Sequence, residues 1–253
     1  MNELPDILKL TQQASMLFWW PRVKDLPIPM PSTKMLILSE YEQTKLIQAL
    51  DGKQRDKDVE AKILSFAKAT KLSYPLFMRT SHTSGKHQWR NTCFVPSEEV
   101  LLEHAYELIE TSACVGLVGL PLEALVFRKY IKMHSVFTSH RDMPVSKERR
   151  YFVNNGKILC HHPYWPEDAV RFPKELVNKD TFEFRTVEPE GWREMLAHIN
   201  KESQEEITEL SAYALLLSRF LPGPWSVDFC YSEQGTWYFI DCAPAGLSWH
   251  PEH

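Results

Sequence analysis

Hydrophobic and polar positions along this chain fall into short blocks with sharp edges. MLIL (35–38) is a brief apolar run of strand length. Residues 40–50 and 56–70 repeat apolar positions at helical spacing, and Val59, Ile63, Phe66 and Ala67 lie on one face. LFMRT (76–80) and TCFV (92–95) read as strands joined through the polar stretch Ser81–Lys86, a hairpin with a long tip. Pro96-Ser97-Glu98-Glu99 opens a helix that runs to about Ser112, with Ser97 as N-cap and acids in its first turn. Its buried stripe is Leu101, Leu102, Ala105, Leu108 and Ile109. ALVFRKYI (124–131) is a further strand. RRYFV (149–153) and KILCHH (157–162) flank Asn154-Asn155-Gly156, and Asn-Gly is a strong signal for a two-residue hairpin turn. Helices follow over 189–201 and 204–220, and WSVDFCY (225–231) pairs with TWYFIDC (236–242) in a last hairpin. Residues 1–33 read as irregular, because Pro21, Pro27, Pro29 and Pro31 interrupt any helical pattern.

Helices mixed with strands that are joined by tight turns predict an α+β fold with mostly antiparallel sheets. A chain of 253 residues can bury one large core or two modest ones. Three segments are expected: 1–75, 76–131 and 132–253. Glycine is scarce, at 9 residues, and G-x-G-x-x-G is absent, which argues against a dinucleotide-binding Rossmann domain. A net charge of −4 argues against broad nucleic-acid binding, which needs many phosphate-neutralising cations. Five cysteines without a C-x-x-C pair suggest reduced, buried thiols. The N-terminus lacks a secretory pattern. The most apolar window, 113–127, is broken by Pro121 and Glu123, so a cytoplasmic protein with no membrane partner is expected.

Four groups of residues could carry chemistry. In the last hairpin a four-residue turn, 232–235, sets Tyr231 against Thr236, Asp228 against Phe239 and Asp241 against Ser226. Asp228 and Asp241 then share one face as diagonal neighbours, roughly 6–8 Å apart at Cβ; an odd-numbered turn would put them on opposite faces. Two such acids suit Mg2+, which takes one or two carboxylates and completes its shell with water and phosphate oxygens. They could equally face solvent or pair with arginine. RTSHTSGKHQWR (79–90) joins Arg79, a hydroxyl-rich loop, Gly85 and Lys86; it misses the phosphate-loop pattern G-x-x-x-x-G-K-[ST] at Thr80 and His87, yet its amides, hydroxyls and cations suit phosphate oxygens. It could also be a plain exposed tip. Arg128, Arg149 and Arg150 are strand-borne cations, and a two-residue Asn155-Gly156 turn sets Arg150 against His161. Cys160-His161-His162 has no second ligand pair at zinc spacing. Trp19, Trp20, His140, Arg141, Tyr164 and Trp165 are candidates for shaping a substrate pocket.

Taken in order, the arginine-bearing strand with its hydroxyl/Gly/Lys loop, the strand LVFRKYI, a second arginine strand and the hairpin VDF…FIDCAP resemble the ATP-grasp superfamily. The likeness covers roughly residues 35–250 and is nearest to the bacterial and phage clade marked by arginines and a lysine at its nucleotide site. More distantly, the chain is similar to the eukaryotic ATP-grasp chaperone that assembles a translation initiation factor. The resemblance implies two α+β subdomains enclosing ATP. It implies that Arg79, Ser84, Gly85, Lys86 and Arg128 bind the nucleotide, and that the backbone of Lys129 and Ile131 meets adenine. It further implies that Arg150 and Lys86 act on the transferred phosphate and that Asp228 and Asp241 bind Mg2+. Relatives usually carry Asn two residues after the second acid, where this chain has Ala243. The implied reaction is ATP- and Mg2+-dependent joining of a carboxylate to an amine, thiol or alcohol through an acyl phosphate, releasing ADP and phosphate. The substrate would be a small molecule, peptide or protein. The alternatives are an ATP-binding assembly or regulatory protein that ligates nothing, and an ATP-grasp kinase.

Overall fold

A computed structural model describes residues 3–115, 119–178 and 182–251. The helices are α1 (Glu3–Ala14), α2 (Met16–Val23), α3 (Glu40–Leu50), α4 (Lys57–Ala69), α5 (Leu101–Ala113), α6 (Trp192–Asn200) and α7 (Gln204–Ser218). The strands are β1 (Thr33–Ile37), β2 (Leu76–Thr80), β3 (Phe94–Val95), β4 (Ala124–Lys129), β5 (Ser135–Ser139), β6 (Met143–Ser146), β7 (Glu148–Asn154), β8 (Lys157–Pro163), β9 (Lys174–Asn178), β10 (Glu183–Thr186), β11 (Pro224–Tyr231) and β12 (Trp237–Pro244). Every strand pair among the described residues is antiparallel, so the class is α+β. No helix among them is long and apolar enough to cross a membrane.

The chain forms two compact units. The first comprises Ser15–Leu17 and Pro31–Ile131, the second Met1–Ala14, Phe18–Met30 and Lys132–His253. In the first, a sheet in the order β1-β4-β2-β3 carries α3, α4 and α5 over one face. Leu76 and Met78 of β2 and Leu125 and Phe127 of β4 point into that core, where they meet Leu46, Ile63, Leu101 and Leu108. Period-two alternation therefore sends Arg79 and Arg128 to the helix-free face. The helices start where their caps dictate. Ser39 and Glu42 form a reciprocal capping box on α3, and the Asp56 carboxylate accepts from the N–H groups of Asp58 and Val59 on α4. Ser97 makes no such cap. Its hydroxyl goes to the Glu99 side chain, and a turn of 3-10 helix (Glu98–Val100) precedes α5.

In the second unit a sheet in the order β12-β11-β7-β8 lies against α7. Val227 and Phe229 of β11 and Tyr151 and Val153 of β7 are buried, as are Leu210, Ala214 and Leu217 of α7. Tyr213 of α7 stacks near Phe229, which marks this as the α7 side of the sheet. Residues 226, 228, 150 and 152 alternate to the other side.

The N-terminal stretch is not irregular. Two helices form there, and Pro21 lies inside α2. A mid-helix proline forfeits one hydrogen bond. What offsets it is burial: Trp19 and Val23 are fully buried, and Trp19 packs edge-on against Phe239. The Arg22 guanidinium also donates to the Phe18 carbonyl. Pro27, Pro29 and Pro31 all follow the helix end.

Candidate functional site

The last hairpin turns differently from its expected course. Ser232 N–H donates to the Thr236 carbonyl and Tyr231 pairs with Trp237, so the turn is the odd-numbered Glu233-Gln234-Gly235. Continued without interruption, that register would throw the two acids to opposite faces. A β-bulge intervenes: Phe229 pairs with Phe239 and Asp228 with Asp241, leaving Ile240 as the extra residue. Asp228 is thus opposite Asp241 and not Phe239, and Ser226 is opposite Ala243 and not Asp241. The acids do share a face, as direct cross-strand partners. A second bulge, at Leu159, shifts the β7–β8 pairing in the same way. Arg150 faces His162 rather than His161, although the turn is the expected Asn155-Gly156.

The result is a row across four strands: His162, Arg150, Asp228 and Asp241. Its centre is a two-pronged ion pair. Arg150 Nε donates to Asp228 Oδ1 at 2.7 Å and Nη2 to Oδ2 at 2.7 Å. The Tyr164 ring lies under the guanidinium at 4.6 Å, and Nη1 reaches the Trp249 carbonyl at 3.4 Å. Burial disfavours the Arg150 charge, but the adjoining Asp228 carboxylate outweighs it and holds the guanidinium above its ordinary pKa. Asp241 is half-buried, and its Oδ1 accepts from the Cys242 N–H at 3.0 Å. His162 Nδ1 lies 2.7 Å from the Pro163 carbonyl, a contact in which the ring N–H donates, while burial pushes this histidine below its usual pKa. Opposite Ala243, the Ser226 hydroxyl contacts the Ser248 hydroxyl at 2.5 Å.

Two opposed carboxylates are a donor set that suits a hard divalent cation retaining water and phosphate oxygens. Among the described residues no three His, Cys, Asp or Glu side chains gather into a metal cluster, so such an ion would draw its other ligands from solvent and phosphate. The fit has one condition, that Arg150 releases Asp228.

Arg149 does not belong to this row. It points to the α7 side, where its side chain is fully buried and meets Glu206 at 2.5 Å and Glu202 at 3.4 Å. It also donates to the carbonyls of Ile199 and Lys201. Trp19 is core, and Trp165 is buried with its indole N–H on Glu148. Tyr164, by contrast, is brought to Arg150. Sequence reasoning missed Trp249 and His162 at this place. His162 was hidden by the bulge, and Trp249 reaches the row only through its backbone. A separate cavity of about 470 Å³ is lined by Arg171, Phe172, Lys174, Thr186 and Trp192 among others, and by no residue of the row.

In the first unit Arg79 pairs with Val126 and Arg128 with Phe77, which makes the two arginines diagonal neighbours, roughly 7–8 Å apart by sheet geometry. Both are buried. Arg79 Nε donates to the Thr80 carbonyl and Arg128 Nε to the Thr33 hydroxyl, each at 3.1 Å. The segment after Arg79 is no open tip. Thr80 Oγ1 accepts from the amides of His82 and Thr83, and Thr83 Oγ1 accepts from that of Gly85, so those loop amides are turned inward. Gly85 adopts φ +59°, and a 3-10 helix, Lys86–Asn91, follows it. Trp89 anchors that helix against Phe77, Phe94 and Tyr130. Ser84 and Lys86 are half-buried at its start. At the end of β4 the Lys129 N–H is committed to the Ser32 carbonyl, and the chain continues to Ile131 outside the strand.

A family model for the ATP-grasp domain, family 3 of the clade named for its arginines and lysine, matches residues 64–253. Cdc123 from Schizosaccharomyces pombe is similar in fold at 14% identity and a TM-score of 0.50, over 93% of this chain and 85% of that one. D-alanine–D-alanine ligase from Bacillus anthracis gives a TM-score of 0.48 at 13% identity, over 93% of this chain; the chain spans 58% of that ligase's length. No curated protein matches the chain. The family match covers most of the sequence and includes both arginine strands and the two-aspartate hairpin, and the chain belongs to family 3 of this arginine- and lysine-named clade of ATP-grasp domain proteins.

Proposed function

We propose that this protein is an ATP- and Mg2+-dependent ligase that activates a carboxylate as an acyl phosphate. An amine, thiol or alcohol then displaces the phosphate. The observation that carries this reading is the direct opposition of Asp228 and Asp241 beside Arg150, in a chain of the ATP-grasp family. In this scheme Arg79, Arg128, Ser84, Gly85 and Lys86 bind the phosphates. The adenine is read by the Ile131 N–H and the Lys129 carbonyl, since the Lys129 N–H is already spent on Ser32. Asp228 and Asp241 hold Mg2+, which when bound supplies charge neutralisation at the phosphate oxygens. Arg150 and Lys86 stabilise the negative charge of the phosphoryl group as it is transferred, and the protein's contribution is chiefly orientation and electrostatics. The substrate carries a carboxylate and a nucleophile, in a small molecule, a peptide or a protein.

The decisive experiment is ADP release by the full chain with MgATP and mixtures of carboxylates and amines. Substrate-stimulated release supports the ligase. A second reading, an ATP-binding assembly protein that ligates nothing, is favoured by Ala243, which removes an oxygen from the acidic face. Tight ATP binding with no turnover under any substrate mixture would decide for it.

A further inference from the structure

Two cations have a claim on Asp228. Both of its oxygens are taken by the Arg150 fork, and the residue is only 6% exposed. A metal bound to one of these oxygens at the ~2.1 Å typical of Mg2+ would sit within about 4 Å of the guanidinium, a strongly repulsive arrangement in a mostly buried place. Asp241 alone is a poor substitute. It is a single carboxylate with one oxygen already accepting from Cys242, and no third acidic, histidine or cysteine ligand joins it among the described residues.

We infer that Arg150 is a resident competitor for the metal: its fork on Asp228 must open before the two acids can bind a divalent cation, so metal is taken up together with nucleotide and only weakly without it. The inference rests on the ATP- and metal-dependent reading above. The fork with Asp228 is the main restraint on the guanidinium, since its other holds are a ring face and a 3.4 Å contact. A triphosphate offers the guanidinium new anionic oxygens in matching geometry. As Arg150 moves to them, Asp228 is released with its charge exposed beside Asp241. Metal and nucleotide then favour one another, and by linkage each raises the other's affinity by the same factor.

The test is Mn2+ binding to the full chain, followed by electron paramagnetic resonance with no nucleotide present. Wild type is expected to bind weakly. Arg150→Gln is expected to bind at least about tenfold more tightly, within the usual range of coupling between sites. Arg150→Gln combined with Asp241→Asn should return to the wild-type level. Equal Mn2+ affinity of wild type and Arg150→Gln overturns the inference. If Arg150→Gln does not fold, Arg150→Lys keeps the charge but cannot make the fork, and it too should bind more tightly than wild type. Wild type alone gives a variant-free check, because nucleotide-free Mn2+ binding as tight as with a non-hydrolysable ATP analogue overturns the inference. Calorimetry of that analogue reports separately on the functional reading. If the analogue does not bind, the ATP-dependent reading fails, while the Mn2+ comparison still decides the role of Arg150.

Discussion

Arg149 and Arg150 are adjacent in sequence and opposite in surroundings. Successive strand residues face opposite ways, so one arginine enters the α7 side of the sheet and the other joins the acidic row. Arg149 neutralises the buried Glu206 and holds the carbonyls that end α6. Replacing it with Met strands that carboxylate, and removing one partner of a buried pair typically costs about 3–5 kcal/mol. Urea unfolding should show that loss, and an unchanged midpoint would contradict the structural role. Asp241→Ala is expected to act in the other direction. The fold should persist by circular dichroism, while any substrate-stimulated ADP release falls by about 100-fold or more. Retained turnover would remove Asp241 from the metal assignment.

At the scale of elements, α5 ties the nucleotide-loop segment to the first unit's core. His104 of α5 is buried, and its ring bonds the backbone of Phe94 and Thr92. Burial outweighs those bonds and pushes its pKa below the ordinary 6.5. The unfolded chain therefore binds this proton more readily. His104 contributes fully above pH of about 6.5, and its contribution declines as the pH falls below that value. Unfolding midpoints at pH 7.5 and 5.5 should drop more on acidification for wild type than for His104→Gln, and equal drops would contradict this. Gly85 precedes the 3-10 helix at φ +59°, where an added Cβ would meet Leu108 Cδ1 at 3.1 Å. Gly85→Ala should cost about 1–2 kcal/mol in unfolding free energy from the left-handed backbone alone. Much at this scale was legible beforehand. Helical spacing located α3 and α4, and Asn155-Gly156 located a turn, because local patterning decides these. Three things were not legible. Burial of Trp19 and Val23 is a tertiary effect that overrode the prolines. Inward-turned amides made a folded segment of an apparent open tip. The bulges at Leu159 and Ile240 leave no mark in residue type, so cross-strand partners were misjudged by one position.

For the whole molecule, the two units divide the predicted nucleotide residues. Arg79, Ser84, Gly85, Lys86, Arg128, Lys129 and Ile131 belong to the first, and Arg150, Asp228 and Asp241 to the second. The order of residues along the chain carried the family resemblance, since order survives where sequence identity has fallen to 14%. A ligand that binds only the folded chain stabilises it, by about 2.7 kcal/mol at a hundred times its dissociation constant. An ATP analogue with Mg2+ should therefore raise the melting temperature of the full chain, and by more than either alone. No shift with any combination would count against nucleotide binding altogether.

The extra residue at Ile240 also makes the acidic face a matter of strand phase. The odd turn at 233–235 alone would set Asp241 out of step with Asp228, and one inserted residue brings it back. Deleting Ile240 would leave every charged side chain of the row in the sequence, yet rotate Asp241 towards the apolar α7 side. The site could thus be lost by a change of one in the count of residues, with none of its chemistry altered.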